Sequence, residues 1–314
     1  MNDLLFSQTL EPPNLPAGGS CVALGLFNGL HLGHMAVIGA MRRQALAHRL
    51  TSVVFTFSTA RCTPNSKGSV KQMLSQSMSN AILSKTGVEQ VVCPDFSDFR
   101  AFTPEQFVDK VLRARLGAGR VVCGYDFRFG KGAAGDAHAL RELCAPLGIA
   151  ADIVPQVDVN GELAASRSIR ALIESGDIPA ANRLLGRPFA IDFQVIHGQK
   201  LGRTLGWPTI NQAFPPDFVL PRFGIYASLT TVNGKDYSSV TYVGVRPTVD
   251  SGAALSETYI QSFDGDLYGR HVKVAFLAFL RPEQKFSDLE TLKNAISADA
   301  ARAKELIKQL TNVD

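Results

Sequence analysis

Residues 198 to 211 hold the side chains best suited to chemistry: Gly198-Gln199-Lys200-Leu201-Gly202-Arg203-Thr204-Leu205-Gly206-Trp207-Pro208-Thr209-Ile210-Asn211. Glycines four apart, Gly198, Gly202 and Gly206, let a backbone bend closely around a ligand and turn its N–H groups inward. Lys200 and Arg203 place two fixed cations within that bend, where they can neutralise phosphate. Thr209 and Asn211, two residues apart, point the same way if the segment is extended. Their oxygens suit a Mg²⁺ ion that a nucleotide already carries. The run lacks the Gly-Lys-Ser/Thr ending of a Walker A loop. A Gly-rich hairpin with surface cations is the structural alternative for the same residues.

Two stretches of the first half carry related chemistry. Gly25-Leu26-Phe27-Asn28-Gly29-Leu30-His31-Leu32-Gly33-His34 follows an apolar run and precedes a helical pattern. A strand–turn–helix junction presents free N–H groups and the positive end of the helix dipole to a ligand. His31 and His34, on one side of the helix start, could donate to phosphate oxygens or to charge developing on phosphorus. A zinc pair is the alternative, but no third ligand stands nearby in the sequence. Gly124-Tyr125-Asp126-Phe127-Arg128-Phe129-Gly130-Lys131-Gly132 interleaves aromatics with cations, as a cradle for a planar ring and its phosphate would. A loop plugged by Phe127 and Phe129 is the plainer alternative.

These residues must be positioned by more than one domain. The chain has 314 residues, enough for two, and its 46% apolar and 19% charged content is that of an ordinary globular protein. A net charge of +4 without a basic block favours small anions over nucleic acid as partners. The five cysteines, Cys21, Cys62, Cys93, Cys123 and Cys144, form no Cys-x-x-Cys pair, and several lie in apolar runs. Reduced thiols and a cytoplasmic location are therefore expected. The first ten residues lack the basic region of a signal peptide, and no apolar run approaches the ~20 residues of a membrane span.

Short Val- or Ile-rich runs at Cys21–Leu26, Ser52–Phe57, Val88–Cys93, Arg120–Gly124 and Ile149–Val154 alternate with helical patterns. One helix carries Val37, Met41 and Ala45 on one face, and another opens with Thr103-Pro104-Glu105. This alternation predicts a Rossmann-like α/β domain, a parallel sheet with helices on both faces and its ligands at the carboxyl ends of the strands. Residues 166–185 read as two short helices broken at Ser175-Gly176-Asp177. After Gly186 the pattern changes to strands at Ile191–Ile196, Ile225–Val232, Tyr237–Val245, Leu255–Ser262 and Val272–Leu280, with an Asn233-Gly234 hairpin turn. A small antiparallel β-barrel and a C-terminal helix near 288–310 are expected, and the domains are placed at 1–185 and 186–314.

Taken together and in order, these stretches closely resemble the bacterial bifunctional riboflavin kinase/FAD synthetase family, over almost the whole chain. The specific signatures are Gly-Arg-Thr-x-Gly-x-Pro-Thr-x-Asn, Gly244-Val245-Arg246-Pro247-Thr248 and Phe263-Asp264-Gly265-Asp266-Leu267-Tyr268-Gly269. His-x-Gly-His is shared with a wider nucleotidyltransferase group. The resemblance implies an adenylyltransferase module followed by a riboflavin kinase module, with ATP as co-substrate and FMN and FAD as products. It assigns Thr209 and Asn211 to Mg²⁺ and the ATP phosphates. Gly198, Lys200, Gly202 and Arg203 fall in the phosphate-side loop, where Arg203 would assist catalysis. Glu257 becomes the base that takes the proton of the ribityl 5′-hydroxyl. A lone Glu in a strand is otherwise a rim residue.

In the first module the resemblance assigns His31 and His34 to catalysis. It assigns Phe27, Asn28, Gly33, Ser166 and Arg170 to nucleotide binding, and Tyr125, Asp126, Phe127, Arg128 and Phe129 to the flavin. This module departs from the family pattern in three places. Asn28 stands where the family has Asp. Phe57-Ser58-Thr59-Ala60-Arg61 lacks the histidine and prolines of Phe-x-Pro-His-Pro. Ala165-Ser166-Arg167-Ser168-Ile169-Arg170 keeps two of the four positions of Ser-Ser-Thr-x-x-Arg. The kinase module has no such departures. A riboflavin kinase with weak or lost adenylyl transfer is therefore expected. A non-catalytic flavin- or adenine-nucleotide-binding first domain, or one serving a different acceptor, is the alternative. The sequence does not fix the oligomeric state.

Overall fold

The apolar runs of the first half become strands of one sheet. A computed structural model describes residues 4–12, 14, 18–58, 71–198, 206–245 and 254–311. Strands β1 (Leu5–Ser7), β2 (Ser20–Leu24), β3 (Thr51–Phe55), β4 (Gln90–Val92) and β5 (Ala118–Gly124) belong to this sheet. After a short pair, β6 (Arg128–Phe129) and β7 (Gly135–Asp136), the strand β8 (Ala150–Val154) completes it. The order is β1-β4-β3-β2-β5-β8, every pairing parallel. β2 and β3 are buried along their whole length, which is why they read as continuous apolar runs rather than alternating ones.

Helices cover both faces. α1 (Leu32–His48) buries Val37, Ile38, Met41 and Ala45 against the sheet. α2 (Gln76–Lys85) connects β3 to β4. α3 (Pro104–Gln106) is capped by Thr103 and Gln106 acting reciprocally, and it runs on as a π-helix over Phe107–Arg113. With α4 (Ala137–Cys144) it packs on Val22, Leu24, Val53, Phe55 and Val121. α1 contributes nothing to that cluster, so it lies on the opposite face. β9 (Asp158–Val159) and β10 (Glu162–Leu163) form a closing hairpin.

The chain divides into two compact units, Met1–Val70 with Gln76–Ala165, and Lys71–Ser75 with Ser166–Asp314. The boundary thus falls at Ala165/Ser166, ahead of the position near Gly186 that composition suggested. The cause is packing. α5 (Ser166–Ser175) and α6 (Ile178–Leu185) break at Gly176, and α6 lies against the strands of the second unit. The Asn182 amide donates to Phe276 O at 3.0 Å, and its oxygen accepts from Phe189 N at 2.7 Å. Gln72 joins the same unit through a backbone bridge to Phe218.

The second unit is an antiparallel sheet of β11 (Phe189–Ile191), β12 (Val195–Ile196), β13 (Thr209–Ala213), β14 (Gly224–Val232), β15 (Lys235–Val245), β16 (Ala254–Ile260) and β17 (Lys273–Arg281). The order is β11-β17-β14-β15-β16-β13-β12. The sheet curls until Val195 exchanges hydrogen bonds with Arg270 O and Gly269 N, at 2.8 and 2.9 Å, just ahead of β17. Asn233 and Gly234 both take positive φ, 50° and 78°, the tight hairpin geometry that joins β14 to β15. α7 (Leu289–Thr311) packs Ala300, Ala303 and Ile307 on Ala227, Val240 and Leu277 of the outer face. The inner face joins Tyr226 and Phe276 to a fully buried hydroxyl cluster in which Ser228, Ser239, Thr241 and Thr258 bond one another at 2.7–2.9 Å.

Cys21, Cys93, Cys123 and Cys144 are free thiols, and burial pushes the pKa of Cys21 and Cys123 up to about 12. Cys62 lies outside the described residues. No helix among the described residues is long and apolar enough to cross a membrane.

Candidate active sites

In the second unit, β13 pairs with β16 so that Asn211 stands opposite Glu257 and Thr209 opposite Tyr259. On its other side β16 pairs with β15, which sets Tyr242 opposite Glu257. Because side chains alternate along each strand, Asn211, Glu257 and Tyr242 form one row on the sheet face that α7 also covers. Thr209 shares that face, and Trp207 meets the Tyr259 ring edge-on at 4.9 Å. Asn211 is buried and Glu257 half-buried. As its position suggested, Glu257 lies on the same face as Leu255 and Tyr259.

A cavity of about 470 Å³ opens beside β13, lined among others by Gly198, Thr209, Asn211, Asp264, Asp266 and Tyr268. Its size is that of a small-molecule site. The close approach of Gly198 to Asn211 explains the glycine: a Cβ there would stand 2.5 Å from Asn211 Nδ2. Asp266 Oδ1 accepts from Tyr268 N at 2.9 Å, and the His197 and Tyr268 rings lie 4.1 Å apart at the cavity edge. Lys200, Gly202 and Arg203, and the Arg246-Pro247-Thr248 run, lie outside the described residues.

No group of three or more His, Cys, Asp or Glu side chains among the described residues could hold a metal by itself. Thr209 and Asn211 offer hard oxygen donors, which fits an ion that arrives with phosphate ligands of its own. Tyr242 sits two residues before the Gly244 motif and carries no motif signal of its own. Burial, and then the charge and hydrogen bond of Glu283 and the charge of Glu257, push the Tyr242 phenol up to about 12, so it remains a donor at neutral pH.

In the first unit, the loop after β2 turns sharply through positive φ at Phe27, Gly29 and Leu30 (50°, 88° and 41°). His31 then caps α1, its Nδ1 accepting from His34 N at 3.4 Å. With Nδ1 an acceptor, the neutral ring carries its proton on Nε2. The His31 and His34 rings stack with centroids 3.6 Å apart, and Phe27 meets His34 edge-on at 5.3 Å. Gly33 is required here, since a Cβ would stand 2.9 Å from Ala164 O and 3.1 Å from the His31 ring. Asn28 and His31 are both buried. The zinc alternative has no further ligand among the described residues.

β5 neighbours β2, so Tyr125 to Phe129 emerge at the same carboxyl edge of the sheet as His31. Tyr125, Asp126 and Arg128 are exposed. Phe127 and Phe129 lie 5.7 Å apart and pack into the core, with Phe129 only 6% exposed. The plug thus accounts for Phe129, and the three exposed side chains are the ones that offer contact surface. Ser166 opens α5 and Arg170 stands one turn further, both in the second unit. Arg170 Nη1 is buried without a hydrogen-bond partner among the described residues, and burial lowers the guanidinium pKa. Thr59, Ala60 and Arg61 lie outside the described residues.

Comparison with known proteins agrees with this two-part layout. The FAD synthetase family matches residues 15–168, and the riboflavin kinase family residues 185–307. The bifunctional riboflavin kinase/FMN adenylyltransferase of Pseudomonas fluorescens is 35% identical over 294 residues, covering 93% of this chain and 94% of the relative. The enzyme of the same name from Listeria monocytogenes is 33% identical over 88% and 89% of the two chains, and that of Escherichia coli K12 is 30% identical over 92% and 93%. A crystal structure from Streptococcus pneumoniae, described as a macrolide-efflux protein, superposes with a TM-score of 0.83 at 27% identity over 96% of this chain and 99% of that one.

Proposed function

Because the chain belongs to the bifunctional riboflavin kinase/FMN adenylyltransferase family, we propose that it phosphorylates riboflavin to FMN with Glu257 as general base. The ribityl 5′-hydroxyl attacks the γ-phosphorus of ATP in line, its proton passes to Glu257, and ADP leaves. The observation that carries this assignment is the in-register pairing of Glu257 with Asn211, which lines a cavity together with Thr209 and Gly198. Thr209 and Asn211 would hold Mg²⁺, which neutralises phosphate charge when bound. Lys200 and Arg203 supply fixed positive charge to the phosphates, in a run that Gly198 and Gly202 keep free of side-chain bulk.

The second reaction joins FMN to the α-phosphorus of ATP with loss of pyrophosphate. His31 and His34 stabilise the developing charge there. This step is slow in the natural protein. Asn28 removes a carboxylate beside His31, and each lost charged hydrogen bond costs about 1.5–3 kcal/mol. Two or three such losses slow a step by orders of magnitude. The test is a flavin chromatogram after incubation with riboflavin, ATP and Mg²⁺. FMN should accumulate with FAD trailing far behind; absence of FMN would overturn the kinase assignment.

A further inference from the structure

The apolar pattern of β16 does little to fix which of its faces turns into the barrel. Ala254, Ser256, Thr258 and Ile260 share the inner face, and Leu255, Glu257 and Tyr259 the outer one. Both faces mix apolar and polar side chains. A slip of one residue would turn Glu257 inward, and apolar burial alone opposes that slip weakly. Inside the barrel a different force is available. Ser228, Thr230, Ser239, Thr241, Ser256 and Thr258 are all fully buried. Each hydroxyl has a single proton, and the contacts use every one in a single direction. Thr230 donates to Ser239 at 2.8 Å, and Ser239 donates to Ser228 O at 3.0 Å. Ser239 then has no proton left, so Ser228 donates to it at 2.9 Å. By the same reasoning Thr241 donates to Ser228 at 2.7 Å, Thr258 to Thr241 at 2.9 Å and Ser256 to Thr258 at 3.4 Å. The chain of donors therefore starts on β16, at the hydroxyls on either side of Glu257.

At that start an acceptor goes unanswered. Gln212 stands opposite Ser256 across the β13–β16 ladder, one residue from Asn211. Its amide nitrogen donates to Phe193 O and Val272 O at 2.5 and 2.8 Å, which uses both protons and fixes which end of the amide is oxygen. Gln212 is 0% exposed, and its Oε1 is buried without a hydrogen-bond partner among the described residues. Ser256 Oγ, whose proton goes to Thr258, likewise accepts from no described residue. Two neutral acceptors on facing residues suit a small uncharged ligand with two donors, and that is water.

Resting on the kinase reading above, we propose that an internal water joins Gln212 Oε1 to Ser256 Oγ and, with the hydroxyl chain behind it, locks the β13–β16 register that sets Glu257 opposite Asn211. Gln212, Ser256 and Thr258 are then positioning residues. They touch no substrate and act through the strand that carries the base. The lock is specific because a buried hydroxyl without its partner is costly, so the network is complete in one register and broken in the next.

The test uses the full-length enzyme. A crystal structure of the wild type should show a water within ~3.2 Å of both Gln212 Oε1 and Ser256 Oγ. Thr258→Val keeps the shape of the side chain and removes the hydroxyl. The kcat for FMN should fall about ten- to a hundredfold, the scale of a catalytic group displaced by an ångström. The KM values for ATP and riboflavin should hold, and Thr258→Ser should recover turnover. Ser256→Ala, a smaller change, should lower kcat in the same way and carries the kinetic arm if Thr258→Val does not fold. Thr230→Val, at the far end of the chain on β14, leaves no other proton without an acceptor and should keep wild-type kcat. A lowered melting temperature with wild-type kcat in both β16 variants would show a purely structural core and overturn the lock. An equal kcat loss in Thr230→Val would overturn it too, as would electron density with no water between Gln212 and Ser256. Failure of the kinase reading is distinguishable, because the wild type would then make no FMN while the water and the strand register could still be seen in the crystal.

Discussion

Asn211 and Glu257 face each other across β13 and β16, so an amide and a carboxylate sit in one cross-strand pair. The rigid ladder, not a loop, sets their separation. Glu257→Gln keeps the side-chain size and removes the proton acceptor. FMN formation should fall about 10²–10⁴-fold, the usual worth of a general base. The KM values for ATP and riboflavin should hold. Turnover by Glu257→Gln at the wild-type rate would remove Glu257 from catalysis.

Gly198 tests the nucleotide side of the same pair. An added methyl would stand 2.5 Å from the Asn211 amide nitrogen, so the loop or the amide must move. Gly198→Ala should weaken ATP use roughly 10–100-fold in kcat/KM, the scale of one charged hydrogen bond. Riboflavin affinity should be spared. Equal losses for both substrates would mean that the substitution disturbs the whole barrel rather than the phosphate site.

The parts of this fold that could be read from sequence are those where burial is complete or alternation is strict. β2 and β3 are covered on both faces and therefore read as unbroken apolar runs. β1, three residues at the sheet edge, is too short to show a period. β13 shows no apolar alternation either, because its inward side carries Gln212, whose amide bonds Phe193 O and Val272 O within the barrel. Its motif, not its pattern, gave it away. α5 and α6 are amphipathic in either domain, and only the sheet on which α6 packs decides where they belong.

Two tyrosines of the barrel, Tyr226 buried and Tyr242 half-buried, give a pH signature. Burial raises the Tyr226 pKa well above the ordinary tyrosine value and pushes Tyr242 up to about 12. Above pH of about 10 the unfolded chain loses these protons while the folded chain keeps them, so unfolding becomes favoured as pH rises. Stability from these groups is complete below pH ~10 and is lost between there and pH ~12. Urea midpoints should therefore decline across that window, and less steeply in Tyr242→Phe. A Tyr242→Phe curve as steep as wild type would assign the decline to Tyr226 and other groups.

Asn28 decides whether the first unit is a working enzyme. It is buried in the tight loop between β2 and His31, with Phe27 at φ 50° before it and Gly29 at φ 88° after it. Asp and Asn are nearly isosteric, so Asn28→Asp should leave that loop, the stacked His31–His34 pair and the α1 cap in place. A carboxylate there could orient a histidine or help to hold the Mg²⁺ that accompanies ATP. The natural protein should convert FMN to FAD slowly or not at all while making FMN readily. Asn28→Asp should recover FAD synthesis only in part, because the family's histidine near Thr59 is still absent and Arg167 still stands in the Ser166–Arg170 run. Pyrophosphate and FAD, measured with saturating FMN, ATP and Mg²⁺, report this step alone. If the unmodified protein makes FAD as fast as it makes FMN, the charge lost at Asn28 is immaterial and both halves are full catalysts.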